Sequence, residues 1–267
     1  MPIPSNPWYE AVFVRRSRRL YRPVVPADDL LERLRRVGDG FCPFPGVRAV
    51  LVTRAADQVF KGLIGGYGRV KSAPAFIAFC GRREDPALQE KAGYLGEGII
   101  LEATALGLGT CWVGGFFRPE VAAALAATGP DEVVVAVTPI GYAAEERSTE
   151  ERVMGGLARS RRRKPLEELV TGEAERNWPA WVRPALEAAR LAPSALNRQP
   201  WRFTVEPDAV LVTVDSPRDT YHISKRLDCG IAMLHLELGA EKAGVTGRWE
   251  LLPPPEVARF TADRILK

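Results

Sequence analysis

Histidine is nearly absent from this chain, with only His222 and His235 in 267 residues, and cysteine is scarce. The four cysteines, Cys42, Cys80, Cys111 and Cys229, stand far apart with no CxxC pair. These counts exclude a zinc-ribbon arrangement and a disulfide framework. Each cysteine lies in an apolar or glycine-rich context, so four small buried thiols are expected. No apolar run reaches membrane-spanning length, and the opening MPIPSNPWYE has neither a charged n-region nor an apolar h-region. The expected compartment is therefore the cytoplasm, with no membrane partner. Net charge is also small, since 37 Lys and Arg stand against 33 Asp and Glu for a formal +4.

The basic residues nevertheless cluster at two places, RRSRR from Arg15 and RSRRRK from Arg159. Compact guanidinium clusters suit a phosphate, whereas nucleic acid calls for a broad basic face with interleaved aromatics. No nucleic-acid partner is expected. With 46% apolar residues the chain can bury a substantial core.

Periodicity predicts a helix over Asp28 to Val37, with an acidic first turn and Gly38 ending it, then strands at Val47 to Thr53 and Ala75 to Cys80. The glycine-rich stretch GLIGGYGR lies between those strands. There, Gly65-Gly66-Tyr67-Gly68 reads as a loop bordering a pocket and gating access to it. Leu95 to Leu106 is apolar on nearly all faces and predicts a buried helix capped by Gly107. A helix over Arg118 to Ala127 and a buried strand over Glu132 to Gly141 follow. Glu145 to Gly172 is polar and reads as a linker. The elements then return in order: a helix over Ala180 to Leu191, strands at Arg202 to Val205 and Val210 to Val214, a long helix from Ser224 to Ala243, and a strand at Thr246 to Leu251.

That return suggests an internal duplication. Gly93 and Gly230, Gly107 and Gly244, and Trp112 and Trp249 are each 137 positions apart by subtraction. The expected organisation is an N-terminal half over residues 1–172 and a shortened C-terminal half over 173–267.

Four segments carry chemistry. Val14 to Arg19 offers guanidinium groups and a hydroxyl to a phosphate. Leu101 to Phe117 leaves a helix and turns through Gly109, Gly114 and Gly115, where backbone can approach a flat ligand. Ala189 to Phe203, reading ARLAPSALNRQPWRF, sets small polar residues between prolines. Arg159 to Lys164 is the second basic cluster.

RRSRRLYRPVVP, LGLGTCWVGGF, RSRRRKPLEELV and APSALNRQPWRF together resemble the motifs of FMN-dependent nitroreductases. The order departs from an ordinary member, in which the Ala-Pro-Ser motif precedes the glycine-rich turn. The arrangement resembles a smaller branch whose duplicated chain mimics the family dimer. The resemblance implies an α+β fold of two intertwined pseudo-symmetric halves, each a β-sheet flanked by helices, in a chain that works as a monomeric pseudo-dimer. It implies FMN as cofactor, with Arg15, Arg16, Ser17, Arg161 and Arg163 on the phosphate and ribityl chain and Arg19 facing the pyrimidine edge. Gly114 and Gly115 would lie along the isoalloxazine, and Pro193, Ser194, Ala195, Asn197 and Gln199 would come from the other half. The implied activity passes electrons from NADH or NADPH to a small acceptor such as a nitroaromatic or a quinone, and no side chain is required as acid, base or nucleophile. A reductive dehalogenase, a flavin-fragmenting enzyme and an inactive flavin-binding or structural member of the fold stand as alternatives. One site per chain is expected, because Phe41 to Pro45 replaces the motif in the first half and Gly247-Arg248-Trp249 replaces the glycine pair in the second.

Overall fold

Two long helices, neither of them amphipathic, form the centre around which the chain is arranged. The computed structural model describes residues 1–60, 70–145, 162–220 and 222–265. Helix α1 (Ser5–Val14) precedes α2 (Asp28–Gly40), β1 (Val47–Val52), α3 (Ala56–Phe60), β2 (Ala75–Arg82), α4 (Leu88–Ala105), α5 (Pro119–Leu125) and β3 (Glu132–Ile140). After the second basic cluster come α6 (Leu166–Leu169), β4 (Val170–Gly172), α7 (Val182–Ala189), β5 (Trp201–Val205), β6 (Ala209–Val214), α8 (Lys225–Lys242), β7 (Val245–Leu251) and β8 (Glu256–Ile265). The class is α+β, as expected.

Strands β1, β2 and β3 form an antiparallel sheet with β2 in the middle. Alternate residues of β2 serve two cores: Ala75, Ile77 and Phe79 face the central helices, whereas Phe76, Ala78 and Cys80 pack with residues of α3 and α5. Both faces being covered, β2 reads as an unbroken apolar run. The second sheet has the order β4-β5-β6-β8-β7, antiparallel except that β4 lies parallel to β5.

Helix α2 begins with Asp28 and Asp29 on the positive end of its dipole and buries Leu31, Leu34 and Val37 along one stripe. It does not stop at Gly38, as the sequence suggests, but runs to Gly40. A Cβ at Gly38 would find its nearest neighbour at 3.7 Å and φ there is not positive, so this glycine is an ordinary helical residue. Helix α4 does stop as expected. Gly107 takes φ +77, and Leu108 donates its N–H to Ala103 O at 2.9 Å. Gly244 takes φ +80 after α8, and Ser224 caps that helix by accepting from Arg226 N at 3.2 Å.

Helices α4 and α8 pack closely through glycine. A Cβ on Gly93 would fall 2.2 Å from Leu227 O, and one on Gly230 would fall 2.1 Å from Glu90 O. Cys80, Cys111 and Cys229 are buried free thiols, but Cys42 is exposed, because its neighbours Phe41 and Phe44 are the residues of this loop that pack on the core. The end of the stretch that reads as a linker is ordered, since α6 and β4 dock it on the second sheet.

Candidate functional site

Helix α1 ends at Arg15, whose N–H still bonds Ala11 O at 2.8 Å while its own backbone has turned extended. The chain then runs alongside the glycine-rich turn. Ser17 bridges Thr110 in parallel fashion, and Arg18 N donates to Thr110 O at 2.7 Å. The first two motifs are thereby joined side by side. Glycine at 109 permits this, since a Cβ would crowd Arg18, Tyr21 and Ala143 at 3.1–3.3 Å. Gly114 packs toward Ile223, just before α8, with a Cβ contact at 3.1 Å, while Gly115 is exposed. Arg19 holds the neighbouring strand-like segment, accepting Lys71 N at its carbonyl at 2.7 Å.

The Ala-Pro-Ser motif follows α7. Leu196, Asn197 and Gln199 all have positive φ, between 50° and 57°, a conformation that costs non-glycine residues free energy and needs outside support. Asp228 on α8 supplies it. Its carboxylate accepts from Ala195 N at 3.1 Å and Arg198 Nε at 2.7 Å, and Ser194 Oγ accepts from Gln199 N at 2.9 Å. Burial pushes the Asp228 carboxyl up to about 6, with Arg198 pulling the other way. Pro193, Ser194 and Ala195 are half-buried along this loop.

The basic segment docks on that loop. Arg163 Nη1 donates to Asn197 Oδ1 at 2.9 Å, Asn197 Nδ2 donates to Arg162 O at 2.9 Å, and Lys164 N donates to Gln199 Oε1 at 2.8 Å. The carboxamides of Asn197 and Gln199 thus clamp the arginine segment. Arg161 lies outside the described residues, as does the Gly65-Gly66-Tyr67-Gly68 loop.

Arg163 joins the two motif pairs. Its guanidinium is pushed down to about 10, first by burial and then by the charges of Arg15, Arg16 and Arg190. Arg15 and Arg16 just after α1 and Arg190 just after α7 thus act on Arg163 as like charges, a field that an anion would relieve. Arg15 is only 8% exposed, and its Nη1 has no hydrogen-bond partner among the described residues; nor has the buried Thr110 Oγ1 beside Ser17. Buried donors without partners are costly in a finished core and are consistent with a phosphate-bearing ligand there.

Beneath Arg15 lies a buried network that the sequence reading did not single out. Glu97 on α4 accepts Trp112 Nε1 at 2.6 Å and faces His235 Nε2 of α8 at 2.9 Å and Arg15 Nε at 3.9 Å. A charged residue and a histidine inside helices apolar nearly all round were the available signal. Asp228 and Arg190 were also missed as partners of the site.

At the position related to Trp112 by the 137-residue offset, Trp249 Nε1 donates to Glu237 at 2.7 Å, as does Tyr94 OH at 2.5 Å. Phe41 stacks on Tyr94 at 5.9 Å and Phe44 meets it edge-on at 5.2 Å. Aromatic rings occupy this second region, with no arginine cluster among these contacts.

Among the described residues no group of His, Cys, Asp and Glu is arranged to hold a metal, and no helix is long and apolar enough to cross a membrane. No curated protein matches the chain. Among solved structures, a Thermotoga maritima protein described as a putative nitroreductase is 20% identical, with TM-score 0.63 over 96% of this chain and 94% of that one. A Clostridium difficile nitroreductase family protein, 20% identical, covers 62% of this chain and 98% of its own at TM-score 0.48. An FMN-dependent nitroreductase from the same species, 22% identical, covers 51% of this chain and 88% of its own at 0.44. The first of these shares the fold across nearly the whole chain. The family described as "Putative TM nitroreductase" matches residues 8–240, and the chain belongs to that family.

Proposed function

We propose that this oxidoreductase uses FMN to pass electrons from NADH or NADPH to a small organic acceptor such as a nitroaromatic or a quinone. One observation carries the reading: Arg15 of the first motif is buried with its Nη1 lacking a partner among the described residues, as is Thr110 Oγ1 of the glycine-rich turn that runs beside Ser17. Arg163, bonded to Asn197 of the last motif, adds a like charge that a phosphate would offset.

In this reading Arg15, Arg16, Ser17 and Arg163, with Arg161, hold the phosphate by charge-assisted bonds. The backbone at Gly114 and Gly115 would lie along a flat ring, and Arg19 supplies fixed positive charge at the pyrimidine edge. Pro193, Ser194 and Ala195 complete the wall, while Asn197 and Gln199 contribute by clamping the basic segment. The flavin supplies hydride and electron transfer; the protein supplies position and charge.

The chain is read as two duplicated halves, 1–172 and 173–267, with β4 of the first added to the sheet of the second. The reciprocal packing of Gly93 and Gly230 supports a pseudo-two-fold between α4 and α8, because Leu227 and Glu90 are themselves 137 apart by subtraction. One cofactor site per chain is proposed, the other position being filled by Phe41, Phe44, Tyr94 and Trp249.

A purified chain that is yellow, bleaches with NADH or NADPH and recovers its colour on adding a quinone or nitroaromatic is the expected result. A colourless protein that takes up no added FMN overturns the reading.

A further inference from the structure

Glu97 and His235 are both fully buried and come from different central helices. A carboxylate in that position needs compensation, and the obvious source is Arg15. Yet Arg15 Nε stays 3.9 Å away, beyond hydrogen-bond distance, while Trp112 and His235 occupy the two carboxylate oxygens at 2.6 and 2.9 Å. The other imidazole nitrogen, Nδ1, lies 3.2 Å from Ala188 O. A carbonyl only accepts, so Nδ1 carries a hydrogen. Nε2 faces the carboxylate, where a bare lone pair would be repelled, so a second proton sits between His235 and Glu97. The pair is therefore neutral as a whole, and the charge of Arg15 is left uncancelled.

We infer that Glu97 and His235 are positioning residues that keep the Arg15 guanidinium buried, unpaired with Glu97 and available to the cofactor phosphate. The inference rests on the flavin reading of the site. Without the proton on His235, the Glu97 carboxylate turns its full charge on Arg15, closing an ordinary ion pair and setting a negative charge behind the phosphate position. His235 comes from the C-terminal half and Arg15 from the N-terminal half, so anion binding at Arg15 depends on how α8 sits against α4.

The test uses two ligands, FMN and riboflavin, which differ by the phosphate, in equilibrium titrations of the full chain. In His235→Gln the preference for FMN over riboflavin should fall about tenfold while riboflavin affinity holds, as expected for one uncompensated charge near the phosphate at an intermediate effective dielectric. The double variant Glu97→Gln with His235→Gln removes both charges and should regain the preference. Should His235→Gln fail to fold, Glu97→Gln alone serves, and it should keep the preference at or above that of the parent chain. A parallel loss of both ligands in His235→Gln, a double variant no better than the single, or a lost preference in Glu97→Gln overturns the role given to this pair. A parent chain that takes up neither flavin overturns the reading of the site itself.

Discussion

Gly93 and Gly230 face each other's helices across the centre of the molecule, each where a single added carbon would fall within about 2 Å of a backbone carbonyl oxygen, 2.2 Å at one and 2.1 Å at the other. Neither carbonyl belongs to a flexible side chain, so the helices themselves would have to separate. Gly93→Ala and Gly230→Ala should each destabilise the fold by at least about 2 kcal/mol, the scale of overpacking in a close-packed core. Gly38→Ala, whose added carbon would make only ordinary van der Waals contacts with Ala49 and Ile99, should be neutral or stabilising by up to about 1 kcal/mol. Urea midpoints measure all three, and equal midpoints would mean that the helices are not held at this distance.

Removing the phosphate ligands tests the cofactor site. Arg15→Ala with Ser17→Ala should weaken FMN binding at least about tenfold, since charge-assisted bonds contribute roughly 1.5–3 kcal/mol each. An unchanged titration would remove this cluster from the site.

Glu237 predicts a pH dependence of stability. Burial pushes its carboxyl from 4.5 up to about 7, with Glu241 adding to the shift and the bonds from Tyr94 and Trp249 opposing it. A group raised in the folded state contributes stability that is full below its ordinary value and is lost as pH rises through 7. The contribution is up to about 3 kcal/mol over that window. Glu237→Gln should therefore lose less stability than the parent chain between pH 5 and pH 8. Equal pH slopes in chemical denaturation would show that Glu237 is not the group involved.

Stoichiometry follows from the aromatic cluster at the second position. Titration should saturate at one FMN per chain and follow a single hyperbola, because the rings of Phe41, Phe44 and Tyr94 and the indole of Trp249 are tied together around Glu237. Two FMN per chain, measured by released flavin after denaturation, would show that this position is open.

Most elements were legible in the sequence because their periods are strong, and the Gly107 cap and the offset of 137 stood out, whereas Gly38 ends no helix. The first turns of α4 were not. The expected helix begins at Leu95, whereas α4 begins at Leu88, and Gly93, Gly96 and Gly98 within it admit Leu227, Trp112, Trp8 and Phe41 at close range. Helix α1 was hidden by Pro4 and Pro7 and by an apolar pattern without one clear face, although it plants Arg15. The motif residues were readable as local patterns. Their partners Glu97, His235 and Asp228 were not, since each is defined by a contact distant in sequence.

The short strand β4 and the residues just before it have one more consequence. Arg163 reaches the site on a segment that Val170–Gly172 fastens to the second sheet beside β5. Encoded on a separate polypeptide, such a strap would come off on dilution. Carried on the same chain, it docks at an effective concentration on the order of millimolar. The affinity for the cofactor should therefore be the same at nanomolar and at micromolar protein.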